Sequence, residues 1–361
     1  MSEEVKLYSL RNEYIKKNKG KVLFIFLISL CALLLLFVSL FVGTMKINIV
    51  DGIKGLFGVG EKSVVLTMRK IRLPRVLASF IVGFGLGISG LIMQTNLKND
   101  MASPSTLGIS NASVLGANIA IIIITGGVVS TQNGTTFDVN NPYLTGLIAF
   151  IFAFGSIILI LALSKIKKFN SASIILIGVA LSAVYQAITT IIQYFAVDVR
   201  LTSAVFWAFG DLERGSLIHN LLTFIVTFIS FIVFILYSKK YNTMMLGDDT
   251  AKTLGVNIER VRLISLLFAS LVIALSISIY GIIGFIGLMA PHIAKRILGN
   301  NHKYTIVSSG IIGALILEVA DLLSRILLNG FSLPVGAITA LIGAPFFLYL
   351  VFFKSRRDSY A

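Results

Sequence analysis

Apolar residues in this chain run in long stretches separated by short polar ones. A helix needs about 20 apolar residues to cross a hydrocarbon core roughly 30 Å thick. Runs suited to that length lie near 22–43, 76–94, 105–125, 143–163, 172–195, 216–237, 263–281, 304–328 and 334–353. A shorter run, GFIGLMA at 284–290, ends at Pro291. The chain makes nine crossings if this run is a loop and ten if it crosses.

Charge separates the two counts. With a cytoplasmic N-terminus and ten spans, 21 of the 31 Lys and Arg fall in the inside segments 1–21, 95–104, 164–171, 238–262, 295–303 and 354–361. That is the bias membrane proteins show toward cytoplasmic cations. Residues 126–142 carry none, and ten spans return the basic C-terminus to the cytoplasm, which nine do not. The expectation is an all-α polytopic membrane protein of about ten transmembrane helices: a cytoplasmic segment at 1–21, one transmembrane domain at 22–353 and a cytoplasmic tail at 354–361. The first run is read as a retained span, because 22 largely apolar residues exceed the core of a signal peptide and no small-x-small cleavage site follows.

Seven of the ten outside cations lie in 44–75, and four of them, Arg69, Lys70, Arg72 and Arg75, share the stretch RKIRLPR. Pro74 suits the first turn of a helix, so Arg72 and Arg75 are expected to project from the mouth of the second span. Paired guanidinium groups suit a carboxylate partner, since each binds one bidentately.

Composition agrees with a membrane protein: 56% of residues are hydrophobic, 13% charged, and mean hydropathy is +0.92. The net charge of +15 is spread over short basic stretches and forms no continuous face, which excludes nucleic acid as a partner. Cys31 is the single cysteine, and His219, His292 and His302 are scattered, so no metal site, no catalytic constellation and no cofactor motif is expected. GLGISG at 85–90 has the form of a dinucleotide fingerprint but lies inside a span; Gly83, Gly87 and Gly90 are instead assigned to close helix packing. Asn133 begins a glycosylation sequon, relevant only in a eukaryotic secretory setting. Glu318, Asp321 and Arg325 share one face of the ninth span, where Asp321 can pair with Arg325 one turn on and Glu318 is a buried intramembrane charge. The long connection 238–262 reads as a short helix bounded by Gly247 and Gly255, with Asp248 and Asp249 in its first turn.

Several stretches together resemble the permease subunits of type II ABC importers, the family that moves iron-siderophores, haem and cobalamin. They are RLPR, SGLIMQ (89–94), ASPSTLGIS (102–110), LGDDTAKTLGV (246–256), GFIGLMAPHIAKR (284–296), ADLLSR (320–325) and LPVGAITALIGAPFF (333–347), in family order over about four-fifths of the chain. The resemblance implies ten spans, with two to five and seven to ten as inverted repeats. It also implies a multi-pass protein of the bacterial cytoplasmic membrane, with both termini inside, that takes part in metal-chelate import, an iron-siderophore first. Arg72, Arg75 and Arg325 look like the arginines that face an extracytoplasmic substrate-binding protein. Leu246, Gly247, Asp248, Asp249, Ala251, Leu254 and Gly255 look like the segment that couples to separate ABC ATPase subunits. A second permease copy, identical or paralogous, and membrane lipid complete the implied partners. Three positions depart from the family pattern: Asn99-Asp100 replaces the usual Asn-Pro, Ala112 and Ser113 replace Gly-Ala, and Glu318 stands where an apolar residue is usual.

Two other classes fit less well. An ion-coupled carrier normally places buried acids in several spans, whereas this chain concentrates them in the ninth. An intramembrane enzyme needs a nucleophile, base or metal set that the sequence does not offer.

Overall fold

The computed structural model describes residues 3–43, 45–124, 129–130, 136–137, 141–166, 170–328 and 331–354. The Asn133 sequon, most of the 126–142 loop and the basic tail from 355 lie outside the described residues. Helices dominate. In chain order they are α1 (Glu3–Phe41), α2 (Ile49–Leu56), α3 (Lys62–Leu66), α4 (Leu73–Leu97), α5 (Ile109–Asn118), α6 (Pro142–Lys165), α7 (Ser171–Tyr194) and α8 (Asp198–Ala208). They continue with α9 (Leu217–Leu236), α10 (Ser238–Met244), α11 (Asp248–Thr253), α12 (Ile258–Tyr280), α13 (Ile286–Leu298), α14 (His302–Ile326) and α15 (Val335–Lys354). Val129–Ser130 and Thr136–Phe137 form a two-residue antiparallel pair in the loop before α6.

Local chemistry sets several boundaries. Asn141, Asn170, Asn257 and Asn301 each precede a span and accept a backbone N–H from its first turn, filling donors that the helix leaves open. Ser216 and His219 cap α9 reciprocally. Pro74 has no N–H for the carbonyl four residues back, and the turn before it, Thr67–Arg72, opens into a π-helix joining α3 to α4.

Among the described residues, seven helices are long and apolar enough to cross a membrane: those within α1, α3–α4, α6, α7, α9, α12 and α14. α5 with its π-helical extension Ile119–Ile124, and α15, are shorter apolar helices. The remaining run decides the count. α12 ends at Tyr280, whose hydroxyl donates to Asn220, and Asn220 in turn donates to the Pro74 carbonyl at the start of α4. α14 begins at His302, whose ring nitrogen meets Thr95 at 2.8 Å near the end of α4. Residues 281–301 therefore pass from one end of the bundle to the other, which brings the described residues to about ten passages. The short run is neither a loop nor a full helix. Gly281–Phe285 is non-helical, and α13 starts at Ile286, continues through Pro291 and ends at Leu298.

α4 is the centre. In its most apolar stretch 78% of residues are buried, against 11% for α1 and 17% for α7, which leaves those two at the periphery. α14 lies along α4 most intimately, with α12, α13 and α9 around it. Glycine makes this approach feasible. A Cβ on Gly83 would sit 2.5 Å from the Gly313 carbonyl oxygen, on Gly87 2.2 Å from that of Ser309, and on Gly90 2.0 Å from that of Gly287. Ser309 fastens the contact by donating to the Gly87 carbonyl at 2.8 Å. At the third contact Pro291 cannot supply an N–H to the Gly287 carbonyl, and the Gln94 side-chain amide donates to it at 3.3 Å.

Gly87→Val is therefore expected to destabilise the bundle by about 1–3 kcal/mol or more, because the clash is with backbone. Gly155→Ala, at an exposed helical site with nothing within 4 Å of the new Cβ, is the control and should be neutral or gain about 0.5–1 kcal/mol. Thermal unfolding of the two purified variants, followed by size-exclusion profile, measures the contrast.

Candidate functional site

Two polar clusters lie at opposite ends of α4. At the first, Arg75 in the opening turn of α4 is only 2% exposed. Its Nε donates to Asp321 Oδ1 at 2.6 Å, one terminal nitrogen pairs with Glu213, and the other donates to Ser324 and Ser332, each at 2.9 Å. Asp321, fully buried, also pairs through Oδ2 with Arg325 at 2.7 Å, one turn along α14. Arg325 continues to the end of α1, donating to the carbonyls of Ser39 at 2.9 Å and Val42 at 2.8 Å and to the Ser39 hydroxyl. Arg72 donates to the carbonyls of Leu40 at 3.1 Å, Phe41 at 3.0 Å and Met45. The last carbonyls of a helix have no partner within it, and cations are favoured beside them. Two arginines thus close the end of α1.

The expectation that Arg72 and Arg75 project outward, with Arg325 beside them, is corrected: all three are buried and hydrogen-bonded within the chain. The cause is the supply of acceptors at this end of the fold, open helix carbonyls and Asp321, without which a buried guanidinium is strongly unfavourable. Of the RKIRLPR cations, Arg69 and Lys70 are the exposed ones. Glu318 lies one turn deeper on α14, 0% exposed, with neither carboxyl oxygen hydrogen-bonded.

At the other end, α10 packs into the core through Tyr241 and Met244, and α11 follows it at the edge of the bundle. Gly247 and Gly255, with φ of +116° and +81°, make the turns on either side of α11 in a region that side chains with a Cβ rarely adopt. Leu246 and Leu254 are 67% and 62% exposed, Met245 lies beside them at 47%, Asp249 is in solvent, and Ala251 is the buried residue of α11. Asp248 turns inward, 2.8 Å from Lys98 Nζ and 3.0 Å from Arg262. Burial pushes its carboxyl up, but the Lys98 hydrogen bond and the Arg262 charge outweigh that and hold it below the usual carboxylate range.

The sequence residues thus fall into two groups that do not meet. Arg72, Arg75, Asp321 and Arg325 converge at one end, and Leu246 through Gly255 at the other, with Gly83, Gly87 and Gly90 between them. Glu213, Lys98, Arg262 and Lys295 were not singled out from sequence. Their partners lie 14 to 201 residues away, and no local spacing signals them. Among the described residues, no group of three His, Cys, Asp or Glu is placed to hold a metal ion.

Residues 30–353 match the model of the FecCD transport family. The chain is 39% identical to an ABC transporter permease protein of Methanocaldococcus jannaschii, over 92% of this chain and 95% of that one. It is 34% identical to the Fe(3+)-citrate import system permease protein YfmE of Bacillus subtilis, over 95% and 98%. Other relatives are a hemin transport permease of Yersinia pestis and a vitamin B12 import permease of Vibrio cholerae. A solved inward-facing metal-chelate type ABC transporter shares the fold at a TM-score of 0.77, with 26% identity, covering 92% of this chain and 99% of its own. With an all-helical bundle around a central α4, and a family match over nearly its whole length, the chain belongs to the FecCD transport family, the permease subunits of ABC importers.

Proposed function

We propose that this permease imports a metal chelate, an iron-siderophore in the first instance, by alternating access as one of two permease copies. ATPase subunits dock on α11 at the cytoplasmic end, and a substrate-binding protein docks at the Arg75 end outside. The observation that carries this reading is the apolar surface of Leu246, Met245 and Leu254, held out of the bundle by two glycine turns. Exposed apolar patches of this kind mark contact sites for other proteins. Iron leads as cargo because the ferric-citrate relative covers nearly the whole chain at higher identity than the hemin and B12 relatives. Titrating the cognate binding protein with ferric siderophores, hemin and cobalamin tests the cargo: tight binding to hemin or cobalamin alone would replace the iron-siderophore.

The docking surfaces give further expectations. Leu254→Asp should sharply reduce co-purification of the ATPase subunits while leaving the permease folded in the membrane. Wild-type complex yield would sink the assignment of α11.

Outside, the exposed Arg69 and Lys70 form the steering rim, and Arg72, Arg75 and Arg325 hold that rim in place. Arg69→Glu with Lys70→Glu should slow capture of the binding protein, most at low ionic strength, because such fields are screened over about 10 Å at 0.1 M salt. Equal association rates across a salt series would show that these cations anchor the chain to lipid.

Asp321→Asn should act differently. It strips the counter-ion from two buried arginines, a change that typically costs about 3–5 kcal/mol. Its effect should appear as a lower unfolding temperature without salt dependence of capture.

A further inference from the structure

The end of α4 nearest α11 carries a polar assembly that the docking surface does not use. Lys98 closes α4 in the left-handed conformation, φ 48°, unusual for a residue with a side chain. Its ammonium pairs with Asp248 at 2.8 Å. Arg262, near the start of α12 and 4% exposed, donates through Nε to the Asn96 carbonyl at 3.0 Å, an open acceptor of the last turn of α4, and through Nη2 to both oxygens of Asp248. Across the same turn, Lys295 of α13 reaches Asp100 at 2.9 Å and Gln94 at 3.0 Å. Asp100 stands where the family usually has proline, and a proline there would have no carboxylate to offer.

α11 itself has little other purchase on the bundle. It is six residues long, Ala251 is its buried residue, its leucine flanks face outward, and a glycine turn stands at each end. Without Asp248 a push on α11 would rotate it in place. With Asp248 bound, the same push is felt by Lys98 and, through Arg262, by the last carbonyls of α4.

We propose that Asp248 is the positioning residue that couples α11 to the central helix: its carboxylate, gripped by Lys98 and Arg262, delivers movement of α11 to α4, while Asp100 and Lys295 make α13 follow. This rests on the reading of α11 as the ATPase docking segment. α4 moves together with its neighbours because backbone of α14 and α13 lies against Gly83, Gly87 and Gly90, and Ser309 of α14 donates to the Gly87 carbonyl.

The test uses the full complex with its ATPase subunits in proteoliposomes, in a Cys31→Ser background. Nitroxide labels at Ile71→Cys, on the helix leading into α4, and at Ile218→Cys, at the exposed start of α9, report the position of α4 relative to its neighbour by electron–electron distance measurement. ATP with vanadate should shift this distance in the otherwise unaltered complex. Asp248→Asn should abolish the shift while ATPase subunits still co-purify and hydrolyse ATP. Asp248→Glu should restore it. Lys98→Met should weaken the shift, and combined with Asp248→Asn should do no further harm, as expected for two residues acting through one contact.

A full shift in Asp248→Asn overturns the proposal, as does a complex without any ATP-dependent shift. Loss of co-purification in Asp248→Asn would also overturn it, by placing Asp248 in the docking contact itself. A merely structural role would lower complex yield and unfolding temperature and leave the shift intact in the complexes that survive. Undiminished co-purification in Leu254→Asp would instead sink the docking reading, whatever Asp248 does.

Discussion

One buried carboxylate, Asp321, lies between two guanidinium groups from different helices, and the rest of that end of the bundle is arranged around it. Arg75 approaches from α4 and Arg325 from its own helix, α14. Each arginine has further donors, and these reach out to Glu213, to Ser324 and Ser332, and to the end of α1. An isolated charge in a membrane interior is very costly, and two cations on one anion leave a positive excess. That excess is distributed over serine hydroxyls, peptide carbonyls and a second, half-exposed acid. The geometry of α1, α4, α14 and the 212–214 turn is therefore a single electrostatic problem with one solution.

Much of the architecture was legible in the chain because the bilayer imposes a length. Each long apolar run became a helix close to its expected place, and Gly247 and Gly255 bound α11 as read from the sequence. The pair of Asp321 with Arg325 was visible because four residues make one helical turn. The same logic misjudged Arg72 and Arg75. A cation beside an apolar run looks identical in sequence whether it faces water or an open helix carbonyl, and the deciding acceptors were Leu40, Phe41 and Met45, some 30 residues before Arg72, and Asp321, 246 residues after Arg75. α1 is one helix from Glu3, and its membrane-capable part, Asn18–Phe41, follows a helical basic leader.

The two ends of α4 solve opposite tasks with similar chemistry. At the Arg75 end the acid is fully enclosed and the network is closed on itself. At the Asp248 end the acid remains about one-third exposed and its partners sit on separate helices. Enclosure strengthens each interaction and makes it hard to remake, whereas partial exposure lets water substitute when partners part. Glu318 belongs to neither arrangement. It sits within the spanning part of α14 without a hydrogen-bond partner.

The half-helical passage between α12 and α14 has a consequence for how chain lengths are fixed. Gly281 to Phe285 is non-helical, with Gly281 and Phe285 both at positive φ, and leads into the 13 residues of α13, which add about 20 Å of helix. The non-helical part leaves peptide groups that the surrounding hydrocarbon cannot satisfy. Ile282 donates to the Ala208 carbonyl at 3.3 Å, and Gly336 to that of Gly210 at 3.3 Å, while Gly210 and Gly336 both leave room for the Ile282 carbonyl. Three distant parts of the chain thus share one short patch of bare backbone. Their lengths are locked together: a residue gained or lost in any one of them would leave peptide groups stranded in the other two.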